Sequence, residues 1–212
     1  MTGPIVAVVG LKREARIVGM RATVCQRGLG VDEALRQGGA AVISFGLCGA
    51  LEPGWAVGDL VIGEAVVDGP HRFECDRAWT ASLAAALPNA RRGLFWADGK
   101  MITSMERKAQ LHMETGAAAA DMESHMAGSA AAEFGVPFTI VRAVSDDSLT
   151  AIPRAAQAGF AEDGSIKPLA VVFGLLNNYP DQTIELITLA RNAGRAFKRL
   201  EAAAPSIFQI RP

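Results

Sequence analysis

The chain has 212 residues, half of them apolar, and its 21 lysines and arginines nearly balance 22 aspartates and glutamates, a formal net charge of −1. This length lets one core serve the whole molecule, so a single domain is expected, and near-neutrality offers no field to steer a polyanion, which argues against nucleic acid as a partner. No apolar run approaches the roughly 20 residues of a membrane span, the opening IVAVV ends at Gly10 among charges and does not read as a signal peptide, and Cys25, Cys48 and Cys75 suit reduced thiols, so a cytoplasmic location is expected.

Along the chain, short β-rich apolar runs alternate with amphipathic or alanine-rich stretches, the pattern of a mainly parallel sheet covered by helices. A strand at 4–9 precedes helices at 12–20 and 30–38; strands at 41–46 and 59–67 precede a helix at 76–87. A strand at 92–97 leads to helices at 104–114 and 121–134, the latter capped by Asp121 and stopped by Gly135 with Pro137 before a strand at 138–144. Residues 146–167 carry Pro153, Gly159 and Gly164 among polar residues and predict a long irregular connection, followed by helices at 168–178 and 183–203. The last helix interleaves Arg191, Arg195, Lys198 and Arg199 with apolar residues, which fits either a solvated face or peripheral contact with an anionic membrane.

Four segments carry acids or glycines where chemistry is expected. VVGLKREAR sets Glu14 just beyond a strand's carboxyl end, where ligands bind in open α/β sheets; a carboxylate favoured by the helix macrodipole is the alternative. VISFGLCGALEPGWAVGDLVIG places Gly46, Leu47 and Gly49 where backbone N–H groups can approach a ribose or an anion, or where the chain merely turns, and it lacks the dinucleotide-binding GxGxxG spacing. ADMESHMAG opens a helix with Asp121 and Glu123: an ionised carboxylate there can accept hydrogen bonds from two sugar hydroxyls, although plain capping suits Asp121. IVRAVSDDS ends a strand in Ser145, Asp146 and Asp147, paired acids suited to general-acid work or to an Asx turn. His71, His112 and His125 lack metal-site spacing, so no metal is expected, and Met101, Met105, Met113, Met122 and Met126 read as core.

In their order and separations these segments, with ADGKMI, resemble the nucleoside phosphorylase and nucleosidase superfamily, and within it the methylthioadenosine/S-adenosylhomocysteine nucleosidases, over about residues 5–148. The resemblance implies a three-layer α/β/α fold with a central mixed, mainly parallel sheet, a homodimer, no cofactor, and a purine nucleoside as substrate. It assigns Glu123 to the ribose 2′ and 3′ hydroxyls with Met122 under the sugar, Asp146 to purine N7, Glu14 to the attacking water, and Met101 and Ile102 to the base, with methionine where relatives commonly stack an aromatic. As the glycosidic bond breaks, positive charge grows on the ribose and electron density enters the purine; anionic Glu14 and Glu123 then favour the sugar, and Asp146, raised by burial or by Asp147, the leaving group. Ser44 and Leu47 stand where phosphorylases of this superfamily hold an arginine and a serine, which favours water as nucleophile. Phosphate stays open as co-substrate, met by Lys12, Arg13 or Arg16.

GLKREAR, IPRAAQAGFAEDGSI and the closing helices are similar to the hopanoid-associated branch, which implies adenine release from adenosylhopane. A lipid on the 5′ carbon needs an apolar entrance, for which Trp55, Phe73, Trp79, Trp96 and Phe160 are candidates. The rival functions are methylthioadenosine/S-adenosylhomocysteine hydrolysis and, from another class, a catalytically silent nucleoside-binding protein.

Overall fold

The computed structural model describes residues 3–157 and 182–212. The helix expected at 168–178, Phe160 and the later part of the irregular connection lie outside the described residues.

The chain runs β1 (Ile5–Val9), α1 (Lys12–Val18), β2 (Thr23–Gln26), α2 (Val31–Arg36), β3 (Ala41–Ala50), β4 (Leu60–Asp68), β5 (His71–Glu74), α3 (Arg77–Ala86), β6 (Arg91–Ala97), α4 (Met105–Thr115), β7 (Ala119–Asp121), α5 (Ser124–Phe134), β8 (Phe138–Asp146), α6 (Arg154–Gln157) and α7 (Thr183–Gln209). All eight strands join one sheet, in the order β2-β1-β3-β7-β6-β4-β5 with β8 pairing both β3 and β4. Strands β3, β7, β6, β4 and β8 close into a ring, which leaves none of them an open edge. Pairs β1–β2, β1–β3, β3–β8, β4–β6 and β6–β7 are parallel; β3–β7, β4–β5 and β4–β8 are antiparallel, so the sheet is mixed and mainly parallel.

Both sheet faces are covered. On one, Val31 and Leu35 of α2 and Ala127, Ala130 and Ala131 of α5 pack on alternate strand residues such as Val6, Val8, Val42 and Ile140. On the other, Ile17 and Val18 of α1, Trp79 and Leu83 of α3, and Ala196, Leu200 and Ile207 of α7 meet Ala7, Val9, Ile43 and Val141. Central strands buried on both faces read as continuous apolar runs, and β1 is buried at every residue. Local signals set the helix ends: the Asp76 side chain accepts from Trp79 N, the Ser104 hydroxyl from Arg107 N, and Gly116 and Gly135 close α4 and α5 in the left-handed region. Among the described residues no helix is long and apolar enough to cross a membrane.

The structure corrects several expectations. Strands β2, β5 and β7 were not expected; at three or four residues they are too short to show an alternation. Strand β3 continues through Gly46 and Gly49 to Ala50, where the glycines suggested a turn, because pairing with β8 and β7 outweighs glycine's poor strand preference. Helix α5 starts at Ser124 and not at residue 121, since Ala119–Asp121 belong to β7. Helix α7 runs past 203 to Gln209, with Pro205 inside it.

Candidate active site

A cavity of about 240 Å³ opens where β1, β3, β7 and β8 end and α1, α4 and α7 approach. Glu14, Glu123, Asp121, Arg142, Asp146 and Lys108 all line it, and all six are buried.

The first group gathers around Arg142. Glu14 lies in the first turn of α1 and its carboxylate accepts three backbone N–H bonds, from Gly10 and Leu11 to Oε2 and from Leu47 to Oε1, each 2.8 Å. A carboxylate has about four acceptor positions, so one, on Oε1, is left for a ligand or water. The Arg142 guanidinium donates to Leu47 O at 2.9 Å, to Ser44 Oγ at 2.7 Å and to Glu123 Oε2 at 3.2 Å. Its Nε sits 3.2 Å from Asp121 Oδ2, an ion pair without hydrogen-bond geometry. Asp121 in turn accepts from Glu123 N and Ser124 N, both at 2.7 Å, so it caps α5 from the end of β7 while pairing with the arginine.

Three carboxylates share this single guanidinium. Burial pushes the Glu123 carboxyl up to about 7, opposed by Arg142 and reinforced by Asp121 and Glu14. Burial likewise raises Glu14, against Arg142 and its three backbone donors. Burial alone would lower Arg142, but the surrounding acids hold the guanidinium above its ordinary value and thus charged.

The second group is built on Asp146. In β8, Val144 pairs with Cys48 and Asp146 with Gly49, so Ser145 is an extra residue that re-aims the strand end. Asp146 Oδ1 accepts from Ser145 Oγ at 2.6 Å, and Oδ2 accepts from Lys108 Nζ of α4 at 2.5 Å. The like charge expected from Asp147 is absent from this contact: its Oδ1 accepts from Leu149 N and Thr150 Oγ1 in a turn, and the charged partner of Asp146 is instead the Lys108 ammonium.

Glycines make room for both groups. A Cβ at Gly46 would overlap the Glu14 carboxylate, one at Gly10 would meet Glu123 Oε1 at 2.5 Å, and one at Gly49 would meet Asp146 Oδ2 at 2.9 Å. These carboxylates are pinned by backbone donors, Arg142 and Lys108, so they cannot swing aside cheaply.

Of the residues expected in the site, Glu14, Glu123, Asp146, Met122, Met101, Ile102, Leu47 and Ser145 all line the cavity, while Gly46 contributes the space behind Glu14. Met101 and Met122 are therefore not core; Met105 and Met113 are exposed, and Met126 packs on Gly28. The proposed aromatic walls are elsewhere: Trp55 and Trp79 are core, Trp79 donating to Ile210 O, Phe73 packs against the core beside Gly128, and Trp96 packs with Leu111 and Ile102. The apolar lining is supplied by Leu11, Leu51 and Ile152 and by Leu189, Ala193 and Phe197, one stripe of α7 at four-residue spacing. Lys12, Arg13 and Arg16 do not line the cavity, Arg13 pairing with Glu201 and lying over Phe197; the other cations at the lining are Arg27 and Lys100.

The residues that sequence reasoning missed are Arg142 and Lys108. A lone arginine inside the apolar strand FTIVRAV was itself a signal, because a charge is rarely fully buried unless paired. Lys108 carried a fainter one: it shares with Leu111 the single buried face of a polar helix.

Residues 19–176 match the phosphorylase superfamily. The chain belongs to that superfamily. No curated protein matches it. Among solved structures it is similar to an S-adenosylhomocysteine nucleosidase from Streptococcus pyogenes in complex with a 5-methylthio-substituted ligand, at 16% identity and TM-score 0.70, covering 99% of this chain and 97% of that one. It is also similar to a methylthioadenosine/S-adenosylhomocysteine nucleosidase from Neisseria meningitidis bound to methylthio-immucillin-A, at 18% identity and TM-score 0.65 over 96% and 99% of the two chains, and to futalosine hydrolase of Helicobacter pylori, at 15% identity and TM-score 0.64 over 95% and 97%. At these identities the likeness is one of fold: the mixed sheet between helices is that of the nucleosidases.

Proposed function

We propose that this superfamily member cleaves the N-glycosidic bond of a purine nucleoside with water, releasing adenine, and that its substrate bears an apolar group on the ribose 5′ carbon, as adenosylhopane does. The observation that carries this reading is the meeting of Glu14, Glu123 and Asp146 in one cavity, whose lining also includes Met122, Met101 and Ile102.

In this reading Glu123 accepts the ribose hydroxyls, and Glu14 uses its remaining acceptor position to orient the attacking water. As the bond from C1′ to N9 breaks, its electron pair enters the purine and Asp146, having taken up a proton from solvent, donates it to N7, while the water bonds to C1′ and gives up its proton to Glu14. The sugar is left between carboxylates, which favour its growing positive charge. Water is supported over phosphate by the fate of the anion-binding groups: Leu47 N–H is spent on Glu14, and the Ser44 hydroxyl is engaged by Arg142 and by Ser124 Oγ at 2.8 Å. An apolar 5′ group is supported by the Leu189, Ala193 and Phe197 stripe, where buried apolar surface gains about 25 cal/mol per Å².

The test incubates the purified protein with adenosylhopane, methylthioadenosine and adenosine, with and without phosphate, and identifies the base and sugar products. Free adenine and free sugar, fastest from the lipid nucleoside, are expected. A sugar 1-phosphate formed only with phosphate would overturn hydrolysis, and preference for methylthioadenosine would overturn the lipid. No turnover of any nucleoside, with binding intact, would leave the silent binder.

A further inference from the structure

Lys108 is a buried cation to which the chemistry above gives no task. It is 1% exposed, on a helix whose only other buried residue is Leu111. All three of its ammonium hydrogens are matched: Asp146 Oδ2 at 2.5 Å, Asp147 O at 2.7 Å and Thr150 O at 2.9 Å. If the pair served only to fasten α4 to the turn after β8, apolar side chains of similar volume in place of both Lys108 and Asp146 would serve as well, since exchanging a buried ion pair for packed hydrocarbon is often neutral or stabilising.

The ammonium does two things that hydrocarbon would not. With Ser145 on Oδ1 and Lys108 on Oδ2, the Asp146 carboxyl is gripped at both oxygens and held in the cavity lining. It also leaves this end of the cavity formally neutral, one carboxylate against one ammonium, while the Arg142 end holds three carboxylates against one guanidinium, formally two negative charges. Gly46 lies beside Arg142 and Gly49 beside Asp146 in the β3–β8 register, so the two ends are separated by three residues of strand, about 10 Å.

We infer that Lys108 is a positioning residue for the leaving group: it holds Asp146 toward the purine and, once Asp146 has given its proton to N7, stabilises the carboxylate left behind. This rests on the reading that Asp146 meets the purine.

The experiment compares wild type with Lys108→Met, near in volume but uncharged, and with Lys108→Ala assayed with propylammonium or with propanol. Lys108→Met is expected to lower kcat about 100-fold, within the range of a general-acid contribution, and to leave nucleoside binding by calorimetry within about threefold. Propylammonium should restore kcat of Lys108→Ala at least about tenfold, and propanol should not. The double variant Lys108→Met with Asp146→Asn should be no slower than Asp146→Asn alone, and should stay folded even if Lys108→Met does not, because it strands no buried charge. The inference is overturned if Lys108→Met keeps wild-type kcat, if propanol rescues as well as propylammonium, or if the double variant loses activity additively. A wild type that turns over no purine nucleoside sinks the functional reading and this inference with it, whereas normal turnover in both wild type and Lys108→Met sinks this inference alone.

Discussion

The two ends of the cavity hold buried charge in opposite ways. Around Arg142, Glu14, Glu123 and Asp121 compete for one guanidinium, and burial leaves Glu123 at about 7. Around Lys108 the ions match one to one and every ammonium hydrogen is used. The first arrangement stores surplus negative charge that a cationic sugar can relieve; the second holds one carboxyl still. A reaction that makes one end of its substrate positive while the other gains electrons suits a cavity divided in this way.

The most damaging way to break the comparison is Glu14→Gln. The amide would turn an NH₂ toward the N–H groups of Gly10 and Leu11 or of Leu47, so kcat is expected to fall about 10²- to 10⁴-fold in an adenine-release assay, the span general acid–base groups contribute. Next comes Gly46→Ala, whose Cβ enters the space of the Glu14 carboxylate; a loss of about 1–3 kcal/mol in a urea melt, with kcat lowered while Asp146 is untouched, is expected.

Acidity probes the crowded end without mutation. The Glu123 carboxyl is raised in the folded protein, so between its ordinary value of 4.5 and about 7 the folded state binds the extra proton. Its contribution to stability therefore declines as pH rises through that window and levels off above it. If Glu123 grips the ribose as proposed, the grip needs the anion, so kcat/KM should climb through about pH 7, and Glu123→Gln should abolish that limb. The smallest expected effect sharpens the picture at the entrance: Phe197→Ser should raise KM for a 5′-apolar nucleoside about 10-fold while leaving adenosine nearly unchanged, the scale of an altered apolar pocket contact.

Much of this was legible from residues. Runs such as IVAVV and FTIVRAV give buried strands, and Asp76, Ser104, Gly116 and Gly135 mark helix ends through chemistry confined to a few neighbours. What stayed hidden depends on partners distant in sequence. Strand β7 exists because Ala119–Asp121 pair with both β3 and β6, and glycines 46 and 49 stay extended because β8 lies alongside. Lys108 meets Asp146 across 38 positions, and a lysine in MERKAQLHMET looks, by local pattern, like any solvated residue. The tryptophans misled for the same reason: bulk marks a residue for burial, but whether it faces a cavity or the core is decided by the tertiary packing.

Gly10 and Gly46 give the molecule an unusual sensitivity. At most buried positions the harm of a replacement grows with the volume added, whereas here the first carbon already occupies the space of an acid's oxygens. Alanine at either place should therefore be nearly as harmful as leucine, a flat response to side-chain size that identifies a void reserved for a functional group belonging to another part of the chain.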